Sequence, residues 1–258
     1  MPKFSANLGF LWTEMALPDA VRRAAEAGFT AVECHFPYDV DTQTLNLSLT
    51  STGLPMLGLN TSPGDIAAGD FGLAAVPGRE AQARELIDQA ITYANATDTR
   101  NVHVMAGKVT SATAAHEVFV ANVRYAAERA SEHGIGILIE PINNHDAPGY
   151  FLQTVEQARD VIDAVAADNV TLMFDCYHLQ ITQGDLTRRL RDNLDIVGHI
   201  QIAAAPTRHE PDEGEIHYPN LFASIDEMGY QGWIGAEYKP RSTTNAGLDW
   251  FTPYRHSA

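Results

Sequence analysis

Strand-like and helix-like segments alternate along the whole chain, and this alternation constrains the fold more than any other feature. Strict alternation of this kind favours parallel strands. A length of 258 residues is also close to that of one (β/α)8 barrel. We therefore expect a single domain over residues 1–258, an α/β fold of the TIM-barrel type. The eight apolar runs predicted as strands are residues 4–8, 30–35, 56–60, 101–105, 135–140, 170–175, 196–202 and 233–237.

The segments between these strands carry helix signals, and one long loop stands out among them. Residues 61–78, rich in Gly, Pro and Asp, exceed a normal connection and are predicted to form a lid or rim. A doubly wound open sheet is the main alternative fold. It is disfavoured because ANLGFLWTE, and no Gly-rich phosphate loop, follows the first strand. The predicted helices cover residues 18–27, 41–52, 79–95, 112–132, a stretch from 154, 181–193, 219–228 and a short tail from 243.

Charge and cysteine content limit the partners and the compartment. The formal net charge is −16, so the chain should repel nucleic acid and anionic membrane surfaces, and a small-molecule substrate is expected. Cys34 and Cys176 are the only cysteines, and the amino-terminal residues form no clean signal sequence. We therefore expect a reduced, cytoplasmic protein. A homo-oligomer is left open.

Four oxygen-bearing side chains stand at or near the ends of the last four predicted strands. They are Glu140 in GILIEP, Asp175 in VTLMFD, Gln201 in VGHIQIA and Glu237 in WIGAEY. In a parallel barrel these ends converge on the face that holds the active site. Each acid alone also fits a helix cap or a solvated position. Burying three carboxylates together without a cation is costly, so the repetition favours a metal site.

The donor atoms indicate which metal to expect. Carboxylate and amide oxygens suit hard cations, and no Cys or His takes their place at these four strand ends. This disfavours zinc. The sequence therefore predicts Mg²⁺ or Mn²⁺ bound by Glu140, Asp175, Gln201 and Glu237, with no organic cofactor.

Three basic side chains near the same strand ends are candidates for substrate binding. His178 follows the sixth strand, and Arg208 lies in the loop after the seventh. Lys239 follows Glu237 by two residues, so it points to the same side of an extended segment. Each suits a substrate carboxylate or oxygen, and each also fits an exposed or ion-paired position. His103, inside a predicted strand, is expected to be a hydrogen-bonded core histidine.

A series of short motifs is spread along the chain from residue 4 to about residue 251. They are FSANL, FPYD, PGRE, IEPIN, the step from Asp175 to His178, GHIQIA, GEI and EYKP. In this order and spacing they resemble the hydroxypyruvate isomerase family, within the wider xylose-isomerase-like barrel superfamily. The resemblance implies a TIM barrel, a divalent metal on Glu140, Asp175, Gln201 and Glu237, and the two glutamates as the acid/base pair.

The same resemblance implies a reaction, and it leaves alternatives. The expected activity is metal-dependent interconversion of hydroxypyruvate and tartronate semialdehyde through an enediolate. An isomerase or 3-epimerase of a longer sugar or sugar acid, such as a 2-oxo-tetronate, would use the same residues. Abasic-site endonucleases of the superfamily need a histidine-rich multi-zinc site, which Gln201 and the charge of −16 disfavour.

Overall fold

Eight parallel strands form a nearly closed barrel in the computed structural model, which describes residues 2–255 apart from the side chain at position 112. The strand order around the barrel is β2-β1-β8-β7-β6-β5-β4-β3. The predicted TIM barrel is confirmed. The strands are β1 (Lys3–Asn7), β2 (Ala31–Glu33), β3 (Gly58–Asn60), β4 (Asn101–His103), β5 (Gly136–Ile139), β6 (Val170–Asp175), β7 (Val197–Ile202) and β8 (Trp233–Ala236).

One bridge and four backbone hydrogen bonds close the seam between β2 and β3, the two ends of this strand order. Val32 and Met56 form a single parallel bridge there. The Leu57 amide donates to the Val32 carbonyl at 2.7 Å, and the Cys34 amide donates to the Gly58 carbonyl at 3.1 Å. By contrast, β6 and β7 pair over four residue positions. The barrel is therefore held less firmly at this seam than between β6 and β7.

Eight α-helices within residues 2–255 surround the barrel, and their ends follow the sequence signals. The first helix has Pro18 in its first turn and ends at Gly28, which adopts a left-handed φ of 95°. The Thr154 hydroxyl caps the fifth helix by accepting a hydrogen bond from the Gln157 amide at 3.2 Å. The helices are α1 (Leu17–Ala27), α2 (Thr42–Thr52), α3 (Glu80–Ala96), α4 (Ala112–Ser131), α5 (Val155–Val165), α6 (Cys176–Thr182), α7 (Leu186–Asp192) and α8 (Tyr218–Glu227).

One helix prediction was wrong, and the predicted tail helix differs in type. The single helix predicted over residues 181–193 is two helices, because Gly184 and Asp185 adopt left-handed φ values of 64° and 53° between α6 and α7. The short helix predicted for the tail from residue 243 is present as two 3-10 helices. The 3-10 segments of the described chain are Ile66–Ala68, Leu194–Ile196, Asn245–Gly247 and Asp249–Tyr254.

Alternation along β1 separates the apolar shell from a polar barrel interior. Phe4 packs against Phe222 and Phe251, with ring centroids 5.1 Å and 5.7 Å away. Ser5 points to the opposite side and donates a hydrogen bond to Glu33. The tail therefore covers the outer face of β1, while the inside of the barrel carries hydrogen-bonding side chains.

The loop of residues 61–78 forms a rim that is tied to the barrel. Gly72 and Ala106 form an antiparallel bridge, and Arg79 forms an ion pair with Asp70 at 2.5 Å. Both cysteines are buried and unpaired. Within residues 2–255 no helix has the length and apolar character needed to cross a bilayer.

Candidate active site

A pocket of about 400 Å³ opens at the carboxyl ends of the strands, where the sequence predicted the site. Its wall also contains side chains from the first half of the barrel and aromatic residues from the loops, among them Phe71 of the long rim loop. Two of the predicted residues, Asp175 and Gln201, do not line the pocket and are buried beside it. The predicted site residues that line it are Glu140, His178, Arg208, Glu237 and Lys239.

Glu140 and Asp175 each present a buried oxygen that has no hydrogen-bond partner among the described residues. Glu140 Oε1 and Asp175 Oδ2 lie 3.8 Å and 3.6 Å from His178 Nε2. The other oxygen of Asp175 accepts a hydrogen bond from the Tyr177 amide at 2.7 Å and so caps α6. Asp175 therefore caps a helix with one oxygen and turns the other toward Glu140 and His178.

Gln201 adds a third unpartnered oxygen to this group. It is aligned with Asp175 across the pair β6–β7. Its Nε2 donates to Glu33 Oε1 at 2.9 Å, while its Oε1 is buried without a partner among residues 2–255. The donor end of the amide is thus used by Glu33, and its oxygen is free.

Glu237 differs from these residues because both of its oxygens are paired. Its Oε1 accepts from Asn7 Nδ2 at 3.1 Å and lies 2.8 Å from His35 Nε2. Its Oε2 accepts from Arg208 Nη2 at 3.0 Å. Arg208 therefore places a permanent positive charge 3.0 Å from Glu237.

Arg208 is held in place by its backbone and by two aromatic rings. Its guanidinium lies between Phe10 and Tyr177, with Cζ 4.9 Å and 5.0 Å from the ring centroids. The residue adopts a left-handed φ of 58°, and its carbonyl accepts a hydrogen bond from the Lys239 amide at 2.7 Å. Nη1 also reaches Asp146 at 3.5 Å.

Lys239 lies at the mouth of the pocket, as its position in the sequence predicted. Its side chain is exposed, and Nζ lies 5.7 Å from the centroid of the Phe10 ring. Among the described residues its ammonium group makes no ion pair within 4.0 Å. It is therefore free to meet an anionic ligand at the entrance.

His178 is oriented by Asn143, and this orientation decides what its ring can do. The Asn143 side-chain amide lies 2.7 Å from His178 Nδ1, and the Asn143 backbone amide donates to the same nitrogen at 3.3 Å. Asn143 Oδ1 accepts from the amides of His145 and Asp146, so its NH₂ group is the end that faces the imidazole. Nδ1 is then an acceptor, and the proton sits on Nε2. His178 is therefore a hydrogen-bond donor toward Glu140 and toward a substrate oxygen.

Burial of several acids in one place shifts their pKa values in opposite directions. Burial, with the negative charge of Glu237, raises the pKa of Glu140 well above its usual range and that of Asp175 to about 7. Burial also opposes ionisation of Glu237, but the hydrogen bond from His35 and the charge of Arg208 outweigh it and hold the pKa of Glu237 well below its usual range. The site therefore has one carboxylate that stays ionised, Glu237. Ionisation of the other two acids, Glu140 and Asp175, is opposed by burial and by the negative charge already present.

These observations fit a divalent cation. Glu140, Asp175 and His178 each offer a ligand atom within 4.8 Å of the others, and Gln201 adds an unpartnered amide oxygen. Because His178 Nε2 carries a proton in this arrangement, the oxygen donors match a hard metal better than the imidazole does. A cation here would offset the mutual repulsion that raises the pKa values of the two acids.

The site residues in the first half of the barrel were not predicted from the sequence. Asn7 and Glu33 end their strands, and His35 follows β2, so the rule that found the other four residues would have found these as well. His103 was expected to be hydrogen-bonded, and this was wrong. It ends β4 and lines the pocket, and neither ring nitrogen has a partner among residues 2–255. Its Nδ1 lies 3.6 Å from Glu140 Oε2, and burial lowers the pKa of His103 to about 4.

The comparisons with known proteins agree with this architecture. A family model described as the xylose isomerase-like TIM barrel matches residues 21–254. The chain belongs to this family. The strand-end residues described above therefore occupy the part of a xylose isomerase-like barrel where parallel-barrel enzymes carry their active sites.

Two full-length relatives are similar along almost the entire chain. A 2-oxo-tetronate isomerase of Cupriavidus necator is 45% identical over 257 residues, which cover 98% of this chain and 99% of the relative. A hydroxypyruvate isomerase of Escherichia coli K12 is 42% identical over 258 residues, which cover 99% and 100%. The resemblance to the hydroxypyruvate isomerase family is thereby confirmed, and these names are consistent with an isomerase.

A similar solved structure carries a different description. A crystal structure described as AP endonuclease, family 2, from Brucella melitensis superposes with a TM-score of 0.95 at 44% identity. The match covers 99% of this chain and 100% of that one. The descriptions of similar proteins thus name two kinds of chemistry, and the side chains of the site have to decide between them.

Proposed function

We propose that the chain is a divalent-metal-dependent isomerase that moves a carbonyl group between neighbouring carbons of a short hydroxy-oxo acid. Glu140 and Glu237 form the acid/base pair. Arg208 and Lys239 bind the substrate carboxylate, and His178 donates a hydrogen bond to a substrate oxygen. Mg²⁺ or Mn²⁺ is held by Glu140, Asp175, Gln201 and Glu237.

One observation carries the proposal. Glu140 Oε1, Asp175 Oδ2 and Gln201 Oε1 are buried oxygens without hydrogen-bond partners among the described residues, and they stand at the ends of neighbouring strands. Leaving one such acceptor unsatisfied costs about 1–3 kcal/mol. Three in one site are hard to account for without a ligand that takes all of them. A hard cation is a ligand of that kind.

The reaction follows from the side chains around that position. A metal held by these residues would polarise the carbonyl and hydroxyl oxygens of the substrate. One glutamate removes a proton from the carbon that bears the hydroxyl, and a proton returns to the neighbouring carbon. The hydroxyl proton passes between the two oxygens, so the product is an isomer. Glu140 and Glu237 both line the pocket, so both are in reach of a substrate bound there.

Two substrates fit the proposal. Hydroxypyruvate, which would give tartronate semialdehyde, is the three-carbon candidate, and 2-oxo-tetronate is the four-carbon candidate. The names of the relatives are divided between them at 42–45% identity. A pocket of about 400 Å³ accommodates either acid. The basic side chains would hold the carboxylate in both cases.

An isomerisation assay tests the proposal. Protein stripped of metal is assayed with Mg²⁺ or Mn²⁺ restored, on hydroxypyruvate, 2-oxo-tetronate and free ketoses. We expect metal-dependent turnover of one of the two acids, with loss of about 10²-fold or more in kcat for Glu140→Gln and for Glu237→Gln. Glu156→Gln makes the same change at an exposed position on α5 and should retain full activity.

Solvent deuterium separates the proposed proton transfer from a hydride shift. In D₂O, proton transfer through a glutamate places deuterium on the product carbon, whereas a direct hydride shift does not. Turnover without deuterium incorporation would remove the acid/base role of the two glutamates. Absence of turnover on every acid and ketose, with or without metal, would refute the proposed function as a whole.

An endonuclease is a second candidate because of the description given to the B. melitensis structure. Three histidines and three acids line the pocket, so the lining alone does not exclude a nuclease. The net charge of −16 is unfavourable for binding a phosphate backbone. We expect no nicking of an abasic plasmid in the presence of Mn²⁺ or Zn²⁺, and nicking that depends on Asp175 would favour the nuclease.

A further inference from the structure

Glu33 is a buried acid that the proposed function does not use. It ends β2 and is 3% exposed. It lies inside the barrel and does not line the pocket, so it cannot contact a substrate there. Its surroundings are instead made of side chains from neighbouring strands.

The carboxylate of Glu33 is fully hydrogen-bonded. Its Oε1 accepts from Gln201 Nε2 at 2.9 Å and from Asn7 Nδ2 at 3.1 Å. Its Oε2 accepts from Ser5 Oγ at 3.0 Å and lies 2.7 Å from His199 Nε2. Two of these four partners connect Glu33 to proposed metal ligands: Gln201 is itself one, and Asn7 contacts another.

The first of these is Gln201 itself. A glutamine amide has a donor end and an acceptor end, and only the acceptor end suits a cation. Because Glu33 Oε1 takes the donor end, Gln201 Oε1 faces the opposite way and stays unpartnered among the described residues. Without Glu33 the amide would be free to turn over.

The second is Glu237, which Glu33 reaches through Asn7. Asn7 Nδ2 donates to Glu33 Oε1 and also to Glu237 Oε1, at 3.1 Å in each case. Asn7 Oδ1 accepts from the Gly9 amide at 2.9 Å, which keeps the NH₂ end of Asn7 between the two acids. The same oxygen of Glu33 thus supports ligands on β7 and after β8.

The backbone leaves room for this arrangement. A Cβ atom at Gly235 on β8 would lie 2.5 Å from Glu33 Oε1. A side chain there would therefore push the carboxylate away from Gln201. Gly235 pairs with Gln201 across β7 and β8. The space left by the missing side chain is therefore next to Gln201, where the Glu33 carboxylate accepts its hydrogen bond.

We propose that Glu33 is a positioning residue that turns the Gln201 amide oxygen toward the metal and, through Asn7, orients Glu237. The inference rests on the metal-binding part of the proposed function. What matters is the reach of the Glu33 acceptor oxygen rather than the negative charge of the side chain. Lost outer-shell partners of metal ligands typically weaken metal binding 10- to 100-fold.

Two substitutions separate reach from charge. Glu33→Asp keeps the charge but withdraws the carboxylate by about 1.5 Å, the length of one carbon–carbon bond. Glu33→Gln keeps the reach and loses the charge. Its oxygen still accepts from Gln201 and Asn7, because the Ser5 hydroxyl and the second tautomer of His199 are able to accept from its NH₂ group.

The measurement is the dissociation constant for Mn²⁺ without substrate, from electron paramagnetic resonance of the free ion. We expect Glu33→Asp to weaken Mn²⁺ binding about 10- to 100-fold and Glu33→Gln to stay within about threefold of wild type. Ser5→Ala, which removes a hydrogen bond to Glu33 but touches no proposed ligand, should leave the constant unchanged. Near-ultraviolet circular dichroism checks the packing of each metal-free protein.

Wild-type affinity in a folded Glu33→Asp protein would overturn the inference, as would equal losses in Glu33→Asp and Glu33→Gln or the absence of Mn²⁺ binding in the wild type. If Glu33→Asp does not fold, Asn7→Ala tests the arm that leads to Glu237, and unchanged affinity there contradicts the inference. Isomerase activity of the wild type is measured in parallel. A wild type that binds Mn²⁺ but turns over no acid refutes the proposed function, while the affinities of the two Glu33 variants still decide the inference.

Discussion

Replacing Asp175 by Asn should stabilise the metal-free protein at neutral pH. Asp175 Oδ1 caps α6 by accepting from the Tyr177 amide, and Asn is an equally good capping residue. Oδ2 has no hydrogen-bond partner among residues 2–255, so no such bond is lost there. The substitution therefore removes one buried negative charge, together with a long ion pair in which Arg208 Nη2 lies 4.0 Å from Oδ2.

The size and sign of the effect follow from the pKa of Asp175. Burial and the charge of Glu237 raise it from 3.8 to about 7 in the folded protein. Between these values the folded state binds more protons than the unfolded state, so the free energy of unfolding falls as pH rises. At about 1.36 kcal/mol per pH unit, the loss reaches about 4 kcal/mol above pH 7. The asparagine side chain of the variant does not titrate, so the variant would escape this loss.

Urea unfolding of both proteins, stripped of metal, measures the difference at several pH values. We expect the advantage of Asp175→Asn to be near zero at pH 4, to grow up to pH 7 and then to level off. Asp41→Asn is a matched control at the N-cap of α2, where hydrogen bonds from Thr44 lower the pKa. That stability is present above the unfolded pKa of 3.8 and is lost as pH falls through the folded pKa, so Asp41→Asn should destabilise at neutral pH.

Adding metal should reduce the stability advantage of the variant over the wild type. A ligand at 100 times its dissociation constant stabilises the folded state by about 2.7 kcal/mol, and the variant lacks one of the proposed ligands. The wild type should therefore gain more from Mn²⁺ than Asp175→Asn does. A metal-free variant that is less stable than the wild type at pH 8, or a difference that does not grow with pH, would refute this account of the site.

Three further predictions concern the substrate. Arg208→Lys should raise KM about 10-fold or more, since the planar guanidinium between two rings is lost, whereas Lys239→Met at the exposed mouth should raise KM less, and steady-state kinetics compare the two. Asn143→Asp places an acceptor against Nδ1 of His178, and this moves the ring proton from Nε2 to Nδ1, away from the pocket. We expect kcat/KM to fall about 10- to 100-fold in this variant, and to fall less in Asn143→Ser, which retains a donor. Phe71→Ala enlarges the pocket at the rim loop, so a competition assay should show the ratio of kcat/KM for a longer acid to kcat/KM for an acid one carbon shorter rising about 10-fold. An unchanged ratio would mean that the rim loop does not determine the chain length of the substrate.

The sequence was informative where one rule applied repeatedly. The alternation of eight apolar runs with helix signals predicted the barrel, and two of the oxygen-bearing side chains at the ends of these runs, Glu140 and Glu237, line the pocket. The first half of the barrel was harder because β2, β3 and β4 have only three residues each. Glu33 and His103 therefore looked like ordinary strand residues, although they end their strands.

Other features depend on contacts that a linear pattern does not contain. The direction of Gln201 is determined by Glu33, which lies 168 positions away along the chain. Arg208 reaches Glu237 because its backbone takes a left-handed turn in a loop and bonds to the Lys239 amide. The break between α6 and α7 likewise comes from two consecutive residues with positive φ, only one of which is a glycine.

The short seam between β2 and β3 has a consequence for local unfolding of the barrel. Strands β5 to β8, which lead to all four proposed ligands, pair with their neighbours over three or four residue positions each, with one register shift between Leu172 and Met173. The seam on the other side has one bridge and four backbone hydrogen bonds between short segments. Thermal opening of the wall should begin at this seam, because local unfolding starts where the paired segments are shortest. Backbone amides such as those of Cys34 and Leu57 should therefore exchange with solvent earlier than those in the middle of β7. The barrel can then loosen on one side while the spacing of the ligand oxygens on the other side is kept.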